Sequence, residues 1–291
     1  MKKKLLFVIN TLSRAGAEAA LIELLGKIDG GKYEIYLYVI TGQGELRDRI
    51  PGHVKLLNPT FSTQSVLTEK GRGVLMKKVC LSFVRNGRLA YKFCYAARIF
   101  AGMVKRRRIQ TDKLFWRVLS DGADRFQLTF DLAVAWIEGG SAYYVADYVK
   151  ARKKAALIHI DYENAGYTRE MDQGCFEKYE NIFAVSEETK RHFLRFYPEY
   201  AAKVDVFDNI VNQDLIRLRA LEKGGFSDGY EGFRILSAGR LTWQKGFDIA
   251  IEAMKLLKKK KYRIRWYVLG EGEKKKALRK KIKELELEKD F

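Results

Sequence analysis

The sequence has little material for metal or disulfide chemistry. Its 291 residues include three cysteines, Cys80, Cys94 and Cys175, and three histidines, His53, His159 and His192. No cysteine pair has CxxC spacing, an odd number cannot all pair, and the histidines lie far apart. A disulfide framework and a metal site of recognisable spacing are therefore not expected. No run of 18 apolar residues occurs, so no transmembrane helix is indicated. The start, MKKKLLFVIN, has an apolar stretch of only about five residues, shorter than a signal peptide requires. It reads instead as a first buried strand entered from a charged end. Without a signal, a reducing cytoplasm and buried thiols are expected. GxGxxG is absent, so there is no dinucleotide fingerprint. No helix-turn-helix, zinc finger or RNA-binding motif is visible, and no specific nucleic-acid partner is expected.

What is present is apolar content and positive charge. Hydrophobic residues make up 47%, enough for a real core, and the length suits two domains. The net charge is +19. Between residues 69 and 125, 15 Lys and Arg face 4 Asp and Glu, and from residue 234 onward 18 face 8. Two basic blocks on a near-neutral body call for an anionic surface or ligand.

Apolar runs alternate with helical spacings along the chain. Residues 4–9, 33–40, 54–57, 130–137, 155–160, 182–185 and 204–206 read as strands. Residues 17–28 and 141–149 read as helices, as does the segment after Ser186, a capping residue. Such alternation predicts an α/β fold with a doubly wound parallel sheet. Residues 60–73 are polar and loop-like. Residues 74–110 suit one or two helices whose apolar face carries Leu81, Val84, Phe93, Tyr95, Ile99, Phe100, Met103 and Val104. Their basic face has two readings: a solvated side of core-packed helices, or a docking face for anionic lipid.

Residues 234–273 form a further strand–loop–helix–strand unit. Ile235, Leu236 and Ala238 lead to Gly239. Phe247, Ile249, Ile251, Ala253, Met254 and Leu257 recur at helical spacing, and residues 265–269 form the second strand. The intervening loop holds Arg240 and Lys245, flanked by Gly239 and Gly246. Two cations at the carboxyl end of a parallel strand, with glycines allowing close approach, suit a diphosphate. They also suit ordinary surface cations beside a turn. Elsewhere, Gly16 stands at a loop–helix junction where backbone N–H groups can face an anion. Glu138 precedes Gly139-Gly140 at a strand end, and His159 stands near the end of another.

The string GRLTWQKGFDIAIEA, followed by YVLGEGEKKKAL, resembles the start of the second domain of family 4 glycosyltransferases. The resemblance implies a GT-B fold, two Rossmann-like domains facing a cleft. The expected boundary lies near Asn212, giving an acceptor-side domain over 1–212 and a nucleotide-sugar-binding domain over 213–291. It implies a retaining, metal-independent transferase. This would move a sugar from a nucleotide-diphosphate donor to a glycan or polyprenyl-linked acceptor in cell-surface polysaccharide synthesis. Its place would be the cytoplasm, peripheral on the inner face of the cell membrane. Arg240, Lys245 and Gly239 would hold the donor diphosphate, with Gly16 and Glu138 also on the donor. His159, in His159-Ile160-Asp161, would contact the transferring sugar. No cofactor beyond the donor and no metal is implied. The family's E-x(7)-E segment is expected to lie beyond Phe291, so the second domain is expected to be incomplete, which puts activity of the chain alone in doubt. The alternative is a noncatalytic basic fragment docking on anionic membrane or nucleic acid.

Overall fold

The computed structural model describes residues 2–66, 68–107 and 109–291. They form two compact units, Met1–Arg217 and Leu218–Phe291.

The first unit runs β1 (Lys3–Ile9), α1 (Gly16–Lys27), β2 (Tyr33–Val39), β3 (Val54–Leu56), α2 (Glu69–Val84), α3 (Leu89–Lys105), α4 (Thr111–Leu114) and α5 (Trp116–Asp121). It continues through β4 (Thr129–Ala135), α6 (Gly140–Tyr148), β5 (Lys150–Ile158), α7 (Tyr162–Ala165), β6 (Asn181–Ala184), α8 (Glu187–Phe196), β7 (Val204–Val206) and α9 (Gln213–Ala220), the last of which crosses into the second unit. The seven strands form one parallel sheet in the order β3-β2-β1-β4-β5-β6-β7. The continuous apolar run of β1 follows from burial on both faces. Leu6 and Val8 enter one core, while Leu5, Phe7 and Ile9 enter the other, as a two-residue side-chain period requires. Strand order reverses between β1 and β4. Their carboxyl ends are therefore the topological switch point, where open α/β sheets bind ligands.

The basic block is a pair of helices, and α2 starts inside the segment expected to be loop. Thr68 accepts the Gly71 amide at 3.1 Å and caps it. Asn86, Gly87 and Arg88 all have positive φ and reverse the chain into α3. Lys92, almost wholly buried, then donates to the carbonyls of Ser82 at 2.7 Å and Arg85 at 2.5 Å, and pairs with Asp121 at 2.8 Å. This ammonium satisfies carbonyls that the end of α2 leaves open.

The expected apolar face divides. Tyr95, Ile99 and Met103 are buried, whereas Leu81, Val84, Phe93, Phe100 and Val104 are exposed. The thiols also differ from expectation: Cys175 is buried, but Cys80 and Cys94 are exposed on α2 and α3. No helix among the described residues is long and apolar enough to cross a membrane.

The second unit pairs β8 (Phe233–Ala238) in parallel with β9 (Ile264–Leu269), joined by α10 (Phe247–Lys259), with α11 (Lys275–Glu284) following. Ile251, Met254 and Leu287 pack with Ile264 and Trp266 on one face. Ile249, expected on the apolar face of this helix, is 70% exposed. On the other face Asp228 binds Arg234 at 2.9 Å, Arg265 at 2.7 Å and the Tyr267 hydroxyl. Those hydrogen bonds, the one from Tyr267 foremost, hold the Asp228 carboxyl far below its usual range.

Candidate active site

In the first unit, one hydrogen-bond network links the carboxyl ends of β2, β1, β4 and β5. Asn10 follows β1. Its carbonyl accepts Thr41 N at 3.1 Å, its Nδ2 donates to the Glu138 carbonyl at 3.0 Å, and its Oδ1 accepts Ser141 N at 2.6 Å. Glu138 is buried, and its Oε2 accepts the His159 backbone N–H at 3.0 Å. The structure thus brings two of the expected residues, Glu138 and His159, into direct contact. Asn10 is the member the sequence reading missed. A polar residue directly after the buried β1 run was the available signal.

Both ionisable groups of this pair are perturbed by burial. Desolvation pushes the Glu138 carboxyl up to about 7, while the His159 amide and its own backbone work against it. Desolvation pushes the His159 imidazole down to about 4, opposed by the Trp136 backbone. Each shift favours the neutral form, as low polarity requires. The His159 ring lies on Trp136, with centroids 5.7 Å apart. Its Nε2 is shielded from water and has no hydrogen-bond partner among the described residues. A neutral imidazole has one ring nitrogen that can accept a hydrogen bond.

Gly139 and Gly140 are required by packing. Gly139 has φ +78°, and a Cβ there would meet the Tyr167 hydroxyl at 2.5 Å. A Cβ on Gly140 would meet Trp116 at 2.8 Å and Asn10 Oδ1 at 2.9 Å. Gly16 differs. It is the exposed first residue of α1, and nothing lies within 4 Å of where its Cβ would sit. Its helix end has no side-chain cap. Glu18, buried in the first turn, accepts the Thr11 hydroxyl at 3.1 Å, so a carboxylate already sits where the helix dipole favours one.

In the second unit, the loop after β8 is held against the loop after β9. Gly239 N donates to Leu269 O at 3.0 Å, and Leu241 N to Glu271 O at 2.9 Å. A Cβ at Gly270 would lie 1.9 Å from Gly239 O, and one at Gly272 would lie 2.4 Å from Leu241 O. Only glycine permits this backbone approach. Gly246, with φ +63°, opens α10 without a side-chain cap. The Lys245 stem passes Gly239, its Cγ and Cδ 3.8 Å from where a Cβ would project. Arg240 and Lys245 are both exposed, and neither side chain has an ion pair or hydrogen bond among the described residues. Two exposed cations without a partner among the described residues therefore stand on the loop between β8 and α10. Among the described residues no three His, Cys, Asp or Glu side chains gather to hold a metal.

Comparison with known proteins adds three findings. Residues 229–291 match the model of the family described as "Glycosyl transferases group 1". Curated protein sequences yield no match. Among solved structures, TarM is similar over 100% of this chain and 76% of its own, at 11% identity and a TM-score of 0.56. A mutant of S. aureus TarM bound to Fondaparinux, alpha-GlcNAc-glycerol and UDP is similar over 99% of this chain and 76% of its own, at 10% identity and a TM-score of 0.53. The lipopolysaccharide outer core galactosyltransferase WaaB, in its apo form, is similar over 99% of this chain and 66% of its own, at 11% identity and a TM-score of 0.50. At such identity the likeness shows the fold: α/β of the GT-B type, as the sequence predicts.

Proposed function

We propose that this chain carries out, or forms the greater part of a protein that carries out, retaining transfer of a hexosyl group. The donor is a nucleotide-diphosphate sugar, and the acceptor is a glycan or a polyprenyl-linked sugar. Arg240 and Lys245 neutralise the diphosphate as it leaves, which is stabilisation where negative charge develops. Those side chains do the work a metal would otherwise do, so transfer is metal-independent. Gly16 admits the phosphates to the backbone N–H groups of α1. His159 Nε2 hydrogen-bonds a hydroxyl of the transferring sugar, and Glu138 fixes the backbone that presents it.

Residues 1–212 act on the acceptor side and 213–291 on the nucleotide-sugar side. The products belong to cell-surface polysaccharide, made from the cytoplasmic side at the cell membrane.

The supporting observation is the unpartnered pair Arg240 and Lys245, inside the stretch that matches the group 1 model. Calorimetric titration of the chain with nucleoside diphosphates tests it. Binding is expected, and Lys245→Ala should weaken it by about 1.5–3 kcal/mol, the range of a charged hydrogen bond. Affinity unchanged in Lys245→Ala and in Arg240→Ala would remove the assigned role.

A further inference from the structure

The first unit holds a polar cavity of about 310 Å³ away from the strand ends that carry Glu138 and His159. Arg88 lines it from the turn between α2 and α3, Arg117 and Asp121 from α5, and Lys178 from just before β6. Asp147 and Tyr148 line it from the last turn of α6. That helix opens at Gly140, so the cavity lies about 12 Å along it from the glycines beside Glu138.

The walls hold more positive charge than they neutralise. Asp121, buried, pairs with Lys92 at 2.8 Å, Arg88 at 3.7 Å and Arg125 at 3.9 Å, and accepts the Tyr148 hydroxyl. Asp147 pairs with Arg117 at 3.1 Å and Lys178 at 2.6 Å. Five cations thus share two carboxylates, an excess of three. Asp124 is matched by Arg85 and leaves that excess unchanged. Asp172 lies beyond the Tyr143 ring that Arg117 covers, and burial raises its carboxyl toward the neutral form. The ends of α2, α5 and α6 bring about half a negative charge each and the start of α3 about half a positive one, so roughly two positive charges remain. Charge held away from water calls for a counter-charge, and a phosphate group carries the matching amount near neutral pH.

The backbone at Arg88 points the same way. Its φ is +58°, a conformation that glycine adopts freely and a long side chain rarely does. Strain at one residue directs attention to what its side chain does. The Arg88 guanidinium lies 4.5 Å from the centre of the Tyr91 ring and is 57% exposed at the cavity, and Lys178 is 45% exposed there. These two cations are within reach of a ligand, and the planar fork of arginine suits phosphate oxygens.

We propose that this cavity binds a phosphate dianion, free or carried on a small sugar, with Arg88 and Lys178 meeting its oxygens and Tyr91 and Tyr148 offering aromatic faces to a sugar ring. Calorimetry uses the full chain carrying Arg240→Ala and Lys245→Ala, so the loop of the second unit does not contribute and failure of the transfer reading leaves the result untouched. Inorganic phosphate, glucose 6-phosphate and glucose are each titrated at constant ionic strength. Saturable binding is expected with phosphate or its ester, and none with glucose. Tighter binding of the ester assigns a sugar phosphate; binding no tighter than that of phosphate assigns the free ion. Arg88→Gln and Lys178→Gln, each made in that background, should weaken binding about tenfold, the loss of one charged hydrogen bond. Both side chains are exposed, so melts without ligand should match the parent, and phosphate should raise the parent's thermal midpoint more than that of either variant. Absence of saturable binding overturns the proposal. So does glucose binding as well as its phosphate, or affinity unchanged in both variants.

Discussion

Replacing Glu138 with Gln removes one titrating proton from the buried end of β4 and keeps the side chain's shape. The amide oxygen can still accept the His159 N–H that Glu138 Oε2 accepts at 3.0 Å. In the parent chain burial raises the carboxyl from 4.5 to about 7. The folded state thus binds the proton more tightly than the unfolded chain. Its contribution is complete below the unfolded value and is lost as pH rises to about 7. The loss is about 3 kcal/mol at about 1.4 kcal/mol per pH unit of difference. His159 has the opposite sign. Its imidazole is lowered from 6.5 to about 4, so its contribution is complete above 6.5 and is lost as pH falls to about 4. That loss is also about 3 kcal/mol. In the parent chain the two trends nearly cancel between pH 4 and 7.

Glu138→Gln should unmask the histidine. Urea unfolding, followed by tryptophan fluorescence at several pH values, should show the variant gaining stability relative to the parent by about 3 kcal/mol from pH 4.5 to pH 7.5. Asp172, another buried carboxyl raised by desolvation, titrates alike in both proteins and drops out of the difference. Parallel pH profiles for parent and variant would refute the reasoning, because they would mean Glu138 is ionised at no cost in the fold.

Lys92→Met should damage the α2–α3 pair, because Lys92 is a buried cation. It leaves Asp121 and the end carbonyls of α2 without their ammonium, for a loss of about 3 kcal/mol in denaturant unfolding. Gly270→Ala should open the paired loops of the second unit, because its Cβ would fall 1.9 Å from Gly239 O. Near-ultraviolet signals of Trp243 and Trp266 should change, and nucleoside diphosphate binding should fall with them. Arg240→Lys should restore only part of the binding lost in Arg240→Ala, since an ammonium cannot present two parallel N–H donors to a phosphate.

Much of the fold was legible in sequence because its strands are buried on both faces. Runs such as those of β1 and β4 have no polar side to confuse the reading, and Ser186 marked the start of α8 through its hydroxyl. The strand–loop–helix after Arg234 was legible from its apolar runs and helical spacing, although β8 and β9 are only partly buried, and its two cations stood out by their glycine neighbours. Helix α3 was not. Two stripes of apolar residues share one helix, and periodicity alone cannot say which meets the core. That choice was made by the partners of Lys92, the carbonyls of α2 and the Asp121 carboxylate.

The amino-acid order alone determined which segments are strands, where their carboxyl-end loops fall, and which residues with useful chemistry those loops hold. Tertiary structure alone decided which of them meet. Asn10 and Glu138 are 128 positions apart, and Glu138 and His159 are 21 apart. They touch because parallel pairing of β1 with β4 and β4 with β5 brings successive strand ends to one side of the sheet. The same packing strips water from Glu138 and His159 and sets both close to neutral, a property of their surroundings that no residue letter encodes.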